Sequence, residues 1–197
     1  MKLNKDDFKN YMEVFLRQNS MLNLISKNDE KFLWEKHIFD SLSIEKILEK
    51  TSHKQTLLDI GTGGGFPSVP IAISYPEIEV YALDSIRKKI NAIENIKTEL
   101  GLENLHTICD RAENIKQKFD IITSRAVAPL KVITGYAAPL LKNDGTFIAY
   151  KSRKTEAEIT EAEQILKNLG LEIKEIIEYE LPLEENHTRN LIVIKKV

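Results

Sequence analysis

Half of the glycines in this chain fall in one short segment, directly after a run of apolar residues. They are Gly61, Gly63, Gly64 and Gly65, and they follow Leu57-Leu58-Asp59-Ile60. Glycine is needed where a backbone turns tightly and must approach a ligand without a Cβ atom in the way. A dinucleotide-binding loop, G-x-G-x-x-G, would also require glycine at position 66, where this chain has Phe66. The segment therefore predicts a ligand-binding loop, and Phe66 weakens its interpretation as a pyrophosphate site.

A carboxylate stands at the end of the next predicted strand. Asp84 closes Tyr81-Ala82-Leu83-Asp84, 19 positions after Gly65. With two acceptor oxygens, its side chain can accept hydrogen bonds from both ribose hydroxyls of a nucleoside cofactor. The fourth predicted strand ends in Ser124-Arg125-Ala126, and open α/β sheets bind ligands at such carboxyl ends. A lone glycine loop is often a simple turn and a lone acid often a helix cap, but the two at this spacing favour a cofactor site.

From residue 56 onward, short apolar runs alternate with helical stretches, which predicts a mostly parallel sheet covered on both faces. The predicted strands are Thr56–Ile60, Glu79–Asp84, His106–Cys109, Phe119–Ser124 and Thr146–Tyr150. The predicted helices between and after them are 67–74, 86–100, 129–141 and 154–169. Two further strands, Leu171–Tyr179 and Asn190–Val197, have no helix between them and should form an antiparallel hairpin at the sheet edge. The fold class is therefore α/β, with a seven-stranded Rossmann-like sheet.

The first 52 residues show helical rather than strand periodicity. Within residues 5–19 the apolar positions share one helical face: Phe8, Tyr11, Met12, Phe15 and Leu16. We predict a break at Asn19-Ser20 and Asn23, and a second helix from about Asp29 to Glu49. The chain thus divides into an N-terminal helical extension, residues 1–52, packed on a Rossmann-like domain, residues 53–197, in one compact unit.

The glycine segment resembles motif I of the S-adenosylmethionine-dependent methyltransferases, in which an acid, an apolar residue and G-x-G-x-G form a loop beside the methionine part of the cofactor. The surrounding segments resemble one family of these enzymes, in order along the chain: WEKHIFDSL at 34–42, GTGGGFPSVPIAI at 61–73, LDSIRKK at 83–89, TSRA at 123–126, YK at 150–151 and RNLIVIKK at 189–196. That family is the small-subunit ribosomal RNA guanine-N7 methyltransferases, also called glucose-inhibited division protein B. The resemblance runs from about residue 11 to the end, and H-I-x-D-S together with S-R-A is far more specific than the glycine loop.

The resemblance implies the Rossmann-like methyltransferase fold and transfer of a methyl group from S-adenosylmethionine to N7 of a guanine in 16S rRNA. With the loop, it gives these cofactor-binding candidates: Gly61, Gly63, Gly65, Phe66, Asp84, Ser85, Ala112, Glu113 and Arg125. Among them, Asp84 and Ser85 would lie at the ribose, and Ala112 and Glu113 near the adenine. Guanine N7 keeps a free lone pair, so alignment of the reactants can supply most of the rate, and we predict no catalytic base.

Candidate RNA contacts are cationic residues near the ligand-binding edge of the sheet. They are Arg125, Lys151, Arg153 and Arg189. The alternative for any such residue is a solvated surface charge, which we prefer for Lys195-Lys196. For Lys151 and Arg189 we favour phosphate contact, which would make RNA binding strongly dependent on salt.

Other chemistries fit the residues less well. Carbon-5 methylation of cytosine needs a nucleophilic cysteine, and Cys109 ends the third strand, where a small core residue is expected. No histidine has a partner at metal-ligand spacing, so no metal site is predicted. His37, Asp40 and Ser41 share one helical face, where a catalytic triad cannot converge. We expect them to form a buried polar network that ties the N-terminal helices to the Rossmann-like domain, with cofactor gating as the alternative.

Composition limits the remaining classes. The chain has 28 Lys and Arg against 30 Asp and Glu, a net charge of −2, which leaves room for a local basic patch but excludes a strongly basic nucleic-acid binder. A single cysteine and no apolar run near the roughly 20 residues of a membrane span predict a cytoplasmic protein without membrane contact. The expected partner is 16S rRNA, in the small ribosomal subunit or its assembly precursor, and the expected state is a monomer. A methyltransferase of another RNA or small molecule, and a nucleoside-binding regulator without catalysis, are the alternatives.

Overall fold

The computed structural model describes residues 4–48, 55–152, 155–185 and 187–197, and within these ranges seven strands form one sheet. The strands are β1 (Thr56–Ile60), β2 (Glu79–Leu83), β3 (Leu105–Ile108), β4 (Phe119–Arg125), β5 (Leu141–Ser152), β6 (Leu171–Glu180) and β7 (Thr188–Lys196). Their order across the sheet is β3-β2-β1-β4-β5-β7-β6. The pairs among β1 to β5 are parallel, and β7 lies antiparallel between β5 and β6. The predicted α/β architecture with an antiparallel edge hairpin is confirmed.

The strand order reverses between β1 and β4, which are neighbours although they are distant in the chain. The connections from β1 and β4 leave the sheet in opposite directions at this point. A crevice opens outside the carboxyl ends of these strands, where open α/β sheets bind ligands. The glycine segment follows β1 and Ala126 follows β4, so both lie at this crevice.

Strand β5 extends beyond its predicted range at both ends. β5 begins at Leu141, five residues before the predicted start at Thr146, and it ends at Ser152. Its first residues, Lys142-Asn143-Asp144, are exposed and polar, so they show no apolar strand pattern. The strand forms there because Leu141 pairs with Phe119 of β4, before a shift of register that precedes Ile121.

The helices of the Rossmann-like part lie close to the predicted ranges. They are α5 (Ser68–Ser74), α6 (Arg87–Leu100), α7 (Leu130–Ala137) and α8 (Glu156–Asn168). Short 3-10 turns cover Ala112–Asn114 and Ala138–Leu140. The predicted helix at 129–141 is therefore an α-helix followed by a tighter turn, with Pro139 inside that turn.

The first helix continues beyond the predicted break at Asn19-Ser20. After a 3-10 turn at Lys5–Phe8, α1 spans Lys9–Leu22 and ends at Asn23, which adopts the left-handed conformation with φ of 50°. Asn19 is buried, and its side chain accepts from the amide of Ile25 at 2.8 Å and donates to Glu30 at 2.7 Å. Because these bonds occupy the amide group, it does not compete with the helix backbone. The expected break at Asn19-Ser20 was wrong, and the break at Asn23 is confirmed.

The second predicted helix is a series of short helical segments. They are α2 (Lys27–Glu30), a wide π-helical turn at Trp34–Phe39, α3 (Asp40–Leu42) and α4 (Glu45–Leu48). A π turn rotates the side chains that follow it relative to a regular helix, and such turns are frequent at functional sites. The domain boundary predicted between residues 52 and 53 lies outside the described residues, so it stays a prediction.

Each face of the sheet is covered by helices. On one face the core joins α1, the Trp34–Phe39 segment, α5 and α6 to the sheet. On the other face it joins α7 and α8. Burial on both faces explains why the strands are apolar runs rather than alternating patterns. Among the described residues, no helix is long and apolar enough to cross a membrane.

Candidate active site

The loop after β1 depends on glycine at its turning points. The amides of Gly61 and Thr62 donate to the carbonyl of Leu83 at 2.8 and 2.9 Å, which ties the start of the loop to β2. Gly61, Gly63 and Gly65 have φ values of 72°, 60° and 91°, a region that L side chains rarely adopt. A Cβ atom on Gly61 would lie 2.4 Å from Val127. The loop therefore closes tightly on the segment after β4.

Gly63 leaves open space over the loop. A Cβ atom on this residue would meet no heavy atom closer than the Gly61 carbonyl oxygen, at 3.9 Å. Its amide donates to Oδ2 of Asp84 at 3.0 Å. The exposed side of Gly63 lines a cleft with a volume of about 820 Å³. This open backbone surface is the kind of cradle that a cofactor can approach closely.

Asp84 joins the glycine loop to the segment after β2. Its Oδ1 accepts from the amide of Ile86 at 2.9 Å, and its Oδ2 lies 3.6 Å from the ammonium of Lys89. The residue is only 7% exposed. Because a carboxylate offers about four lone-pair positions, acceptor capacity remains for the hydroxyls of a ribose.

The predicted cofactor residues divide between two adjoining cavities. A smaller cavity of about 410 Å³ brings together five of them: Gly61, Asp84, Ser85, Ala112 and Glu113. The larger cleft contains three besides Gly61: Gly63, Phe66 and Arg125. Val127 lines both cavities and lies at their junction. Gly65 lines neither, because its turn packs against Val69 and Ile93 on the inner side of the loop.

Phe66 faces the N-terminal segment as well as the cleft. Its ring is 3% exposed and lies 5.0 Å, between ring centroids, from both Phe15 and His37. The guanidinium of Arg125 stands 5.3 Å from the Phe66 ring centroid, within the range of a cation–π contact. Phe66 thus joins the glycine loop to α1 and to the Trp34–Phe39 segment.

Arg125, which was predicted to contact both cofactor and RNA, is held by the N-terminal segment. Its Nη1 donates to Oδ2 of Asp40 at 2.8 Å and to the carbonyl of Lys36 at 3.1 Å. Its Nη2 lies 3.1 Å from Nδ1 of His37. With side-chain exposures of 17% for Arg125 and 7% for Asp40, this ion pair is largely removed from solvent. The guanidinium is therefore part of the wall of the cleft rather than a mobile surface charge.

The contact with Arg125 determines the protonation of His37. A guanidinium can only donate, so Nδ1 of His37 accepts and the ring proton sits on Nε2. Burial, reinforced by the nearby Arg125 charge, lowers the pKa of His37 from 6.5 to about 4. Nε2 is buried and has no hydrogen-bond partner among the described residues. His37 is therefore neutral near pH 7 and acts as an acceptor for Arg125.

The expected polar network around His37, Asp40 and Ser41 is confirmed. Oδ1 of Asp40 accepts from the hydroxyl of Tyr179 on β6 at 2.7 Å. The carbonyl of Ser41 accepts from the hydroxyl of Tyr150 on β5 at 2.7 Å. These bonds, with the Arg125–Asp40 pair, tie the N-terminal helices to three strands of the sheet.

Lys151 also has its charge paired within the protein. Its Nζ donates to Oε2 of Glu158 at 2.6 Å and to the carbonyl of Ala128 at 2.9 Å, and its side chain is 11% exposed. Glu158 in turn accepts from the amide of Leu130 at 2.8 Å. The pair therefore holds the segment between β4 and α7, and a phosphate would have to compete with Glu158 for Lys151.

Arg189 is the more available cation at the cleft. It lines the cleft, and its Nη1 donates to the neighbouring carbonyl of Thr188 at 3.2 Å. Within the ranges that the structure describes, no carboxylate forms an ion pair with it. Arg153, the other predicted cation at this edge, lies outside the described residues.

Asp59, the acid that precedes the glycine loop, is fully buried behind it. Its Oδ1 accepts from Thr123 on β4 at 3.0 Å, and burial raises its pKa from 3.8 to about 6. Cys109 lines neither cavity, and over the described part of the chain no cluster of His, Cys, Asp or Glu side chains could hold a metal ion. The arrangement can bind and align two ligands, and it offers no cysteine to attack one of them.

Some residues of the site gave no usable signal in the sequence. Ala126 has φ of 56°, a left-handed conformation that is costly for alanine and that occurs beside functional sites. The next residue, Val127, is apolar but 42% exposed. Tyr179 lies 139 residues from Asp40, its partner, on the edge strand of the sheet. The fold brings Ala126 and Val127 to the cleft and places Tyr179 behind it, against Asp40.

Comparisons with known proteins identify relatives over nearly the whole chain. A family model described as rRNA small subunit methyltransferase G matches residues 4–195. A ribosomal RNA small subunit methyltransferase G of Lachnoclostridium phytofermentans is 39% identical, covering 100% of this chain and 84% of the relative. One of Listeria monocytogenes is 36% identical, covering 96% and 81%. A solved ribosomal protein L11 methylase of Lactobacillus delbrueckii subsp. bulgaricus shares the fold, with a TM-score of 0.59 at 19% identity, covering 79% of this chain and 77% of that one.

Proposed function

Because this chain belongs to the rRNA small subunit methyltransferase G family, we propose that it transfers a methyl group from S-adenosylmethionine to N7 of a guanine in 16S rRNA. The observation that carries the proposal is the bond between Gly63 and Asp84 at the edge of an open backbone cradle. This bond supports the proposal because a carboxylate that could accept from ribose hydroxyls then stands directly beside a loop that admits close approach.

The residues present fit the methyl donor. The smaller cavity is lined by Asp84 and Ser85, which would hold the ribose, and by Ala112 and Glu113, which would lie near the adenine. Gly61 lies at the point where this cavity meets the larger cleft, so a ligand that fills the smaller cavity can continue over Gly63. When bound, S-adenosylmethionine supplies an electrophilic methyl group on a sulfonium sulfur.

The acceptor chemistry asks little of the protein beyond alignment. N7 of neutral guanine carries a free lone pair, so accepting a methyl group there requires no removal of a proton. Holding two reactants in line converts a bimolecular step into one that is effectively unimolecular, which supplies up to about 7–11 kcal/mol of the barrier. A cleft that binds and orients, without a dedicated base, suits this reaction better than it suits carbon methylation.

For the RNA side, we propose Arg189 and Arg153 as phosphate contacts. Arg189 carries no carboxylate partner among the described residues and stands at the cleft. The charges of Lys151 and Arg125 are already paired, with Glu158 and Asp40 respectively. We therefore propose that these two residues shape the cleft and contribute less to phosphate binding.

The proposed substrate also indicates where and in what state the protein acts. We propose that the chain acts as a monomer on the small ribosomal subunit or its assembly precursor, in the cytoplasm and without membrane contact. We also propose that residues 1–52 act as an extension of one compact unit, because Arg125, Tyr150 and Tyr179 bond the N-terminal helices to the sheet.

The proposal is tested in two steps. Calorimetric titration with S-adenosylmethionine should give saturable binding, and its absence would exclude every methyltransferase assignment, leaving the nucleoside-binding regulator. Labelled methyl transfer is then compared between small subunits, naked 16S rRNA and transfer RNA, each prepared from a strain that lacks this activity. Incorporation into 16S rRNA alone supports the proposal, and incorporation into another RNA or into none would contradict it.

A further inference from the structure

We propose that Tyr179 and Asp40 are positioning residues that hold Arg125 against Phe66 and thereby stabilise the glycine loop in its ligand-binding form. The inference rests on the proposed function to the extent that this loop binds the methyl donor. Tyr179 belongs to the C-terminal hairpin, on β6.

The carboxylate of Asp40 is bonded on both oxygens. Oδ1 accepts from the Tyr179 hydroxyl at 2.7 Å, and Oδ2 accepts from Arg125 at 2.8 Å. A buried carboxylate with two such donors has little freedom to rotate. Removing the Tyr179 donor would leave one oxygen of a largely buried charge unsatisfied, so the carboxylate would reorient and take Arg125 with it.

Arg125 transmits that orientation to the loop through Phe66. The guanidinium plane is fixed by Asp40, by the carbonyl of Lys36 and by His37, and it stands 5.3 Å from the Phe66 ring centroid. The amide of Phe66 donates to the carbonyl of Thr62 at 3.1 Å, inside the glycine segment. A shift of the ring would therefore act on the backbone on either side of Gly63.

Tyr179 also lies next to the RNA side of the cleft. In the β6–β7 pair it stands directly opposite Arg189. The hairpin that presents Arg189 therefore supplies the hydroxyl that orients Asp40. This placement gives the C-terminal hairpin a role in shaping the donor site, in addition to closing the sheet.

The chemistry of the tyrosine suits a permanent donor. Burial, with the neighbouring Asp40 charge, raises the pKa of Tyr179 well above its ordinary value. The hydroxyl thus stays protonated and donates to Asp40 over the whole pH range in which the protein would work.

The test removes one hydroxyl and measures donor affinity. Tyr179→Phe should raise the Kd for S-adenosylmethionine, measured calorimetrically without RNA, by about 3- to 10-fold. In turnover assays KM for the donor should rise in parallel while kcat at saturating donor stays within about twofold. Asp40→Asn should raise Kd further. Arg125→Lys, which keeps the charge but cannot bridge Asp40 and His37, should raise it in the same direction.

A matched control separates positioning from general loss of stability. Thr56→Val also removes a hydroxyl that donates to a partly buried carboxylate, that of Asp120 at 2.7 Å. Thr56 lies at the amino end of β1, away from the cleft at the carboxyl ends of the strands. The substitution should lower the melting temperature by a similar amount and leave donor affinity unchanged.

Two results would overturn the inference and spare the proposed function. One is a folded Tyr179→Phe protein that binds the donor like the wild type. The other is an equal loss of affinity in Thr56→Val. If Tyr179→Phe does not fold, Asp40→Asn takes its place, since wild-type affinity in that variant would also overturn the inference. Failure of the wild type itself to bind the donor would instead remove the proposed function.

Discussion

The backbone amide of Gly63 donates to Oδ2 of Asp84 at 3.0 Å, and this bond links the ends of two neighbouring parallel strands. The glycine loop and the acid that follows it in sequence are thus one structural unit. Asp84 holds the loop through the amide of Gly63, and under the proposed function the same carboxylate would accept from the ribose hydroxyls of the donor. Loss of this side chain should therefore affect binding in two ways at once.

We predict that Asp84→Asn raises the Kd for S-adenosylmethionine by about 10- to 100-fold, which corresponds to about 1.4–2.8 kcal/mol. The amide would turn a donor toward the amide of either Gly63 or Ile86, where an acceptor is needed. Isothermal titration calorimetry measures the change directly.

Asp120→Asn is the control for this substitution. Asp120 accepts from the amide of Thr56 at 2.9 Å and from Lys142 at 2.8 Å, at the edge of the sheet away from the cleft. The control should lose stability yet bind the donor normally. Equal affinity of Asp84→Asn and wild type would show that the carboxylate does not face the donor.

A second prediction compares Gly63, which lines the cleft, with Gly101, which has a similar backbone conformation at the end of α6. Gly63 and Gly101 have φ values of 60° and 67°, and neither would bring a Cβ atom into close contact. Alanine at either position should cost about 1–2 kcal/mol of stability from the left-handed backbone. Only Gly63→Ala should also reduce donor affinity, since its methyl group would enter the cleft.

Chemical denaturation and calorimetry on the two glycine variants provide the readout. We expect both variants to lose a similar amount of unfolding free energy. Only Gly63→Ala should also lose donor affinity. Retained affinity in Gly63→Ala would mean that the donor does not pass over this residue.

A third prediction concerns pH. The pKa of His37 is about 4 in the folded protein against 6.5 ordinarily, so between these values the unfolded state binds more protons. Lowering the pH from about 6.5 to 4 should therefore reduce the stability advantage of the wild type over His37→Gln, by about 1–3 kcal/mol. Denaturant unfolding of both proteins across this range measures it.

The comparison with His37→Gln is needed because Asp59 acts in the opposite direction. Its pKa is raised to about 6, so the folded state binds more protons between about pH 4 and 6, and acid favours folding through this group. Asp59 is present in both proteins and cancels from their difference. If the difference in unfolding free energy between the two proteins did not change with pH, the pKa of His37 would not be lowered in the folded state.

Salt dependence distinguishes the two classes of cation at the cleft. Arg189→Gln should reduce the slope of log K against log salt for RNA binding by about 0.7–0.9, the value for one phosphate contact. Lys151→Gln should leave the slope nearly unchanged because Glu158 already neutralises this ammonium. Fluorescence anisotropy with a 16S rRNA fragment at several salt concentrations provides both slopes, and a full unit lost in Lys151→Gln would assign phosphate contact to Lys151.

Local features of the sequence predicted which residues the structure brings together around the smaller cavity. The glycine segment, Asp84, Ala112 and Glu113 each follow a strand, and the parallel topology then brings strand ends together at one edge. The positions of such residues are predictable because each lies within a few residues of a strand that its apolar pattern identifies.

The wall of the cleft formed by Arg125 could be predicted only in part. The shared helical face of His37 and Asp40 indicated a polar network, but nothing local pointed to Tyr179 as a further member of it. The wide turn at Trp34–Phe39 and the left-handed Ala126 were equally hidden, since packing against the sheet imposes both conformations on residues without a matching preference. Lys151 shows the same limit, because its partner Glu158 on α8 is what removes its charge from the surface.

Mapping the methylated position in 16S rRNA is the sharpest test of the proposed reaction. Small ribosomal subunits from a strain lacking this activity are incubated with the protein and S-adenosylmethionine, and the 16S rRNA is digested for mass mapping. Borohydride reduction and aniline treatment, which cleave RNA at N7-methylguanosine, then locate the modified nucleotide. We expect one new methyl group on one guanine, with strand cleavage at that nucleotide. A methyl group on another base or atom, or none despite binding of the donor, would contradict it.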